Sequence, residues 1–242
     1  MPWGNCKCWN SVHTTADVNK EKDQKRQKQG EPPRDPDARV VNKGQRTVVE
    51  ADGSQEKRHI RYRGYKTHVS VNAETSLITA LHPSLGNMAD NKAFGELFAQ
   101  DRSLELPTRA YGGDKAYDDT DIYEVLERAG LEVGICLRDF RLNKKDANKE
   151  RWEELVADPG YQQAKRQRYR VEQPFGLAKQ KHGFERCRYL GLARYRIQAL
   201  LTFLVINCKR LVKLLTGLTF RPLAKGRRAE QLTPVYGALP WV

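Results

Sequence analysis

One carboxylate in the last third of the sequence stands among cations at helical spacing. In "YQQAKRQRYRVEQPFGLAKQKHGFERCR", Arg168, Glu172, Phe175 and Lys179 fall at i, i+4, i+7 and i+11, positions that share one face of an α-helix. Two kinds of chemistry fit that spacing. Glu172 could close a plain intrahelical salt bridge, which contributes only a few tenths of a kcal/mol. It could instead hold a hard divalent cation while Arg168 and Lys179 grip the phosphates of a nucleic acid. Pro174 lies two residues on, and proline inside a helix predicts a kink there. A second acid stands in "AYGGDKAYDD", where Asp114 follows a short strand and precedes a helix. Its carboxylate is therefore expected at the carboxyl edge of a sheet, where the sites of open α/β sheets lie. The plainer alternative is a loop aspartate capping the next turn. Asp118 and Asp119 are read as helix N-caps.

The elements that must position these residues change character along the chain. Residues 1–16 are short and partly apolar. Residues 17–58 are dense in both charge signs, with Pro32, Pro33 and Pro36 and no aromatic residue, so a mobile charged linker or insertion is expected. Within it only "RTVVEA" has the composition of an edge strand. From His59 the alternation through Ile60, Tyr62, Tyr65, Thr67, Val69 and Val71 predicts a strand, and "NAETS" turns it into a second, antiparallel one. "MADNKAFGELFAQDRS" predicts a helix, "PTRAYGG" a strand, the run from Asp118 or Asp119 to Gly130 a helix, and "LEVGICLR" a strand. Residues 139–158 are polar. Two long helices follow, a basic one over 161–182 and an apolar one over 194–215, and residues 216–242 form a tail. Strands alternating with helices over 59–215 predict one α/β domain.

Charge narrows the class of partner. The chain of 242 residues carries a formal net charge of +13, which favours polyanions, above all nucleic acid. Between Tyr161 and Leu214 the acids are only Glu172 and Glu185, whereas Lys165, Arg168, Arg170 and Lys179 are among many bases. A localised basic surface defines a footprint on a phosphate backbone. Five cysteines at scattered spacings do not make a disulfide framework, and Cys6-x-Cys8 with His13 lacks the second half of a zinc site. No secretory segment follows Met1, and the apolar run 197–215 is interrupted by Gln198, Asn207, Lys209 and Arg210. No membrane partner is therefore expected, and the expected compartment is the cytoplasm.

The order "GYKTHVSV", "NMADNKAF", "GGDKAYDD" and "YRVEQPFGLAKQKHGFERCRYLGLARYRIQALLTFLVINCKRL" resembles bacterial insertion-sequence DDE transposases. The resemblance runs from about residue 10 to residue 215. Its most specific block is similar to the group's Y-x2-R-x3-E-x6-K signature, with Arg168, Glu172 and Lys179 at matching positions and Lys165 at the tyrosine position. Asp114 matches the second acid of the triad, with Ala116 in place of a family glycine. The first acid is expected at the end of the first strand, and there "NSVHTTADVNK" carries Asn10 instead, while Asp17 lies too far along.

The resemblance implies an RNase H-like mixed sheet flanked by helices, with a long charged insertion after the first strand. It implies phosphoryl transfer on DNA without a covalent enzyme intermediate, supported by Mg2+ (or Mn2+) held by Asp114 and Glu172. Arg168, Lys179, Lys165 and Arg170 are the expected DNA-binding residues. The expected partner is double-stranded DNA, both transposon ends and target, with a homodimer on DNA as one assembly. The opening residues and Asn10 together suggest a chain shortened at its start. Two readings stay open: a transposase catalytic domain, inactive in this copy, and a DNA-binding module without chemistry. A host RNase H-like nuclease would not need the Arg168–Glu172–Lys179 spacing, and a ribosome-associated basic protein would leave the order of Asp114 and Glu172 unexplained.

Overall fold

The computed structural model describes residues 6–50, 53–143 and 146–217. In chain order these form β1 (Cys6–Thr15), α1 (Lys20–Lys28), β2 (Arg39–Val49), β3 (Gln55–Asn72) and β4 (Ile78–Leu85). Then come α2 (Phe94–Ser103), β5 (Ala110–Gly113), α3 (Thr120–Arg128) and β6 (Glu132–Ile135). The helices α4 (Lys149–Ala157), α5 (Pro159–Gln167), α6 (Glu172–His182) and α7 (Leu192–Thr216) follow. Among the described residues the strands make one six-stranded mixed sheet. β1 and β4 flank the carboxyl-terminal half of β3 and run antiparallel to it, while β5 joins β1, and β6 joins β5, in parallel. The architecture is α/β and RNase H-like, as expected.

Alternation along β1 and β3 sends side chains into two cores, one on each face of the sheet. Cys6, Cys8, Val12, Tyr65, Val69 and Val71 pack with Ala164, Phe175 and Phe203 of α5, α6 and α7. On the other face Trp9 and Tyr111 pack with Phe94, Leu97, Tyr123 and Trp152 of α2, α3 and α4. Glycines let α5 approach the sheet closely. A Cβ at Gly134 of β6 would run into Ala164, and one at Gly112 of β5 would come within 3.0 Å of the Ala164 carbonyl oxygen. That seating places Arg168 one turn beyond Ala164, above the edge of β5.

Several expectations differ from the structure. The charged segment 17–58, expected as a mobile linker or insertion, is an insertion after β1 that contains α1, β2 and the start of β3. Its acids are held by partners far along the chain: Asp23 pairs with Arg63 at 2.7 Å, and buried Asp35 accepts from the Tyr65 hydroxyl at 2.7 Å. β2 pairs with the amino-terminal half of β3, and its Val40 and Val49 stay exposed, so it is an edge strand longer than "RTVVEA". The opening residues are less polar in context than in composition, because Cys6, Cys8 and Trp9 are core residues of β1. All five cysteines are free. The polar stretch 139–158 includes α4, anchored by buried Trp152, on whose ring the Arg141 guanidinium rests at 4.6 Å. The predicted tail begins at its helix end, and residues 218–242 lie outside the described ones.

The basic helix expected over 161–182 is broken into α5, a 3-10 turn at Arg168–Val171, and α6. Pro174 falls in the first turn of α6, so the break lies on its amino-terminal side. Proline has no N–H for the Arg170 carbonyl and its ring crowds that carbonyl. The chain answers by tightening, and the Glu172 N–H closes on the Tyr169 carbonyl three residues back.

Candidate active site at the carboxyl edge of β5

The parallel pairing of β1 with β5 ends at Trp9↔Gly113, so Asn10 and Asp114 are the next residues on adjacent strands. Asn10 shares the face of Cys8 and Val12, the face covered by α5, α6 and α7. Asp114 continues the alternation from Gly112, which meets α5 on that same face. β1 itself runs on to Thr15, so Asn10 is mid-strand and becomes an edge residue only because β5 stops beside it. The Asn10 side-chain oxygen accepts the Ser11 N–H at 2.7 Å. Asp114 has extended backbone and accepts the Ala116 N–H at 2.9 Å, capping the following 3-10 turn.

Glu172 starts α6 above this edge and its side chain is 58% exposed. Arg168 joins the two acids. Its guanidinium lies 3.5 Å from Glu172, and its charge also reaches Asp114. Burial pushes the Asp114 carboxyl above its ordinary value, and the negative charge of Asp90 adds to the rise. The Ala116 N–H, Arg168 and Lys66 pull the other way without cancelling it. A half-buried carboxylate whose charged form is disfavoured would gain from a cation beside it.

The structure thus brings Asn10, Asp114, Arg168 and Glu172 to one edge and one face. The other expected DNA-binding residues lie outward along the same basic stretch. Lys165 is exposed, its ammonium 5.5 Å from the Tyr161 ring centre, and Arg170 lies over Tyr169 at 5.2 Å. Lys179 is half-buried two turns along α6. Asp119 is the N-cap of α3, accepting the Asp121 N–H, as expected. Asp118 is not a cap: it is buried, 3.1 Å from Arg141, and accepts the Arg138 N–H at 2.7 Å. Asp17 pairs with Arg186 at 2.6 Å and takes no place at the edge.

Sequence reasoning missed Asp90, which lies within the segment "MADNKAFGELFAQDRS" read only as a helix. It lies on the opposite face of β1 and β3, 3.4 Å from the Lys66 ammonium and 3.1 Å from His68 Nδ1. The signal was there as Lys66-x-His68, two residues of β3 that alternation sends to one face. Burial alone would raise the Asp90 carboxyl, but hydrogen bonds from His68 and Ser11 and the charge of Lys66 hold it at about 2. A carboxylate depressed on folding stabilises the fold above its unfolded value and loses that contribution as pH falls through the folded one. Asp90 should therefore contribute on the order of 2 kcal/mol at neutral pH, lost between about pH 4 and pH 2. Urea unfolding across that window should show a shallower pH dependence in Asp90→Asn, and an unchanged slope would count against this assignment.

A family model described as the transposase DDE domain matches residues 23–208. The chain belongs to the DDE transposase family. A comparison with curated proteins finds no match. The matched span includes Asp114, Arg168, Glu172 and Lys179 and begins after Asn10. Members of this family cleave and transfer DNA strands in transposition, and they use divalent metal ions. Asp114 and Glu172 suit such an ion, being hard oxygen donors, one of them lacking a nearby charge that would fully offset its burial. Asn10 suits it less well, because its single neutral oxygen already takes a backbone N–H. Among the described residues, no three His, Cys, Asp or Glu side chains cluster as a metal cage.

Proposed function

We propose that the chain is a transposase catalytic domain that binds transposon-end and target duplex DNA but cuts it poorly in this copy. The observation that carries the reading is the adjacency of Asn10 and Asp114 on one sheet face, with Glu172 tied above them through Arg168. Asp114 and Glu172 are the residues that would hold Mg2+ or Mn2+. The ion, when bound, would polarise a phosphodiester oxygen and ease deprotonation of the attacking hydroxyl. Arg168, Lys179, Lys165 and Arg170 would hold the backbone of the duplex, and none of these four depends on Asn10. A DNA-binding module without chemistry is the second reading, favoured by the amide at position 10. Binding as a homodimer on DNA, in the cytoplasm of a bacterial cell, belongs to this proposal. In the described residues no helix is long and apolar enough to cross a membrane.

Duplex affinity measured over a salt series tests the binding half. Replacing Arg168 and Lys179 by Ala should weaken binding and lower the slope of log K against log salt by about 0.9 for each phosphate no longer neutralised. Affinity and slope both unchanged would remove these residues from the interface.

A further inference from the structure

α7 is apolar on two faces and buries only one. Tyr195, Gln198, Ala199, Thr202, Phe203 and Ile206 turn inward. On the other side Ile197, Leu201, Leu204, Cys208, Leu211 and Leu215 succeed one another at steps of four, three, four, three and four residues. All six are exposed, Leu204 by 57% and Leu215 by 83%. Strict alternation of three and four is the seam one helix offers another. Exposed Leu200 and Leu214 widen it. A row of this length on a soluble domain marks a surface that something covers.

Charge around the seam says what kind of helix that is. α7 has no acid in its 25 residues, but it carries Arg194, Arg196, Lys209, Arg210 and Lys213. Against the seam opens a cavity of about 250 Å3, with Leu201 and Val205 in its wall and Lys181, His182 and Arg188 also lining it. Lys209 adds its ammonium 3.4 Å from His182 Nε2. A second copy laid on the seam would bring the same cations against these, in either direction. Duplex DNA would answer the charge and leave the leucines uncovered. An acidic helix answers both.

We propose that the α7 seam is a docking surface for an acidic amphipathic helix of a partner protein. Apolar residues of that helix, three and four apart, lie along Leu201, Leu204 and Leu211. A carboxylate beside them enters the cavity toward Lys181 and Arg188. This surface is separate from the β5 edge and does not depend on the DNA-cleaving role proposed there.

Two dye-labelled synthetic peptides of roughly 20 residues provide the test, long enough to hold a helix. Both carry leucine at three-and-four spacing, one with glutamate and the other with lysine elsewhere. Titrated with the full chain and followed by fluorescence anisotropy, the glutamate peptide should bind about tenfold or more tighter than the lysine peptide. Leu201→Gln with Leu204→Gln, both exposed and so harmless to the core, should weaken it about tenfold. Lys181→Gln with Arg188→Gln should shrink the preference between peptides. Equal or absent binding of the two peptides overturns the proposal. So does displacement of the bound peptide by duplex DNA, or sedimentation of the free chain as a dimer that Leu204→Gln dissociates.

Discussion

With Mg2+ or Mn2+ present, the unaltered chain is expected to leave a transposon-end duplex uncut above background, and Asn10→Asp is expected to raise its metal affinity. The reason is electrostatic. Asn10 and Asp114 stand side by side one residue past the last pair of the β1–β5 ladder, on the face over which Glu172 stands. An aspartate at position 10 would put a second negative charge beside the half-buried Asp114 carboxylate, whose own charge burial already disfavours. Two adjacent carboxylates repel unless a cation lies between them, so the variant should bind Mn2+ more tightly and Asp114 should titrate higher in its absence. A divalent cation held at a transferring phosphoryl group is typically worth several kcal/mol of charge stabilisation, so some nicking should accompany the tighter binding. Asp114→Asn or Glu172→Gln in the Asn10→Asp background should abolish both gains. Mn2+ binding, followed by its paramagnetic signal, and strand nicking are separate readouts. Vigorous metal-dependent cleavage by the unaltered chain that survives Glu172→Gln would sink the assignment of the acids.

What was legible in the sequence was local. Asp114 could be placed because two glycines end a short apolar run and a polar, turn-forming run follows, a pattern written within ten residues. The antiparallel pair β3–β4 was legible from alternation around one turn, and α3 from its aspartate cap and its closing Gly130 at φ 66°. What escaped depended on partners distant in sequence. Asp23 and Asp35 look like solvated charges until Arg63, 40 residues on, and Tyr65, 30 residues on, come to meet them. Composition counts both acids as unfavourable to burial, although each is satisfied by a specific donor. The same holds for Cys6 and Cys8, whose spacing lacks the second half of a zinc site and whose alternation in β1 makes them core. In the site, Asn10, Asp114 and Glu172 were named from the sequence, but the common face of the first two follows from the pairing register of β1 and β5, and Glu172 stands over it because α5 is seated on the sheet. Asp90 was missed because its partners, Lys66 and His68, are ordinary surface residue types until a helix start covers them.

Replacing Asp101 by Ala should destabilise the fold by about 3–5 kcal/mol, the largest single-residue stability effect expected here. Lys7 of β1 lies on the face opposite Asn10, and its side chain is 1% exposed. Its ammonium stands 2.9 Å from the Asp101 carboxylate of α2 and 3.3 Å from the Asp101 carbonyl. The other carboxylate oxygen accepts the Ser70 hydroxyl of β3 at 2.6 Å. One buried carboxylate thus ties together β1, β3 and α2. Removing it leaves a buried ammonium with a single carbonyl partner, and water cannot reach it without opening the sheet. Removing both charges is a different matter, because desolvating an ion pair costs about as much as its attraction returns. Lys7→Met with Asp101→Leu and Ser70→Ala should therefore recover most of the loss. For a chain of this length, Asp101→Ala should lower the thermal midpoint by roughly 10 °C. The consequence reaches the β5 edge, since Lys7 anchors the strand that carries Asn10 three residues later. In the Asn10→Asp background, Asp101→Ala should weaken Mn2+ binding even below its melting range, whereas the triple apolar replacement should restore it. A midpoint for Asp101→Ala within a degree or two of the unaltered chain would show that the pair does not hold β1 in place.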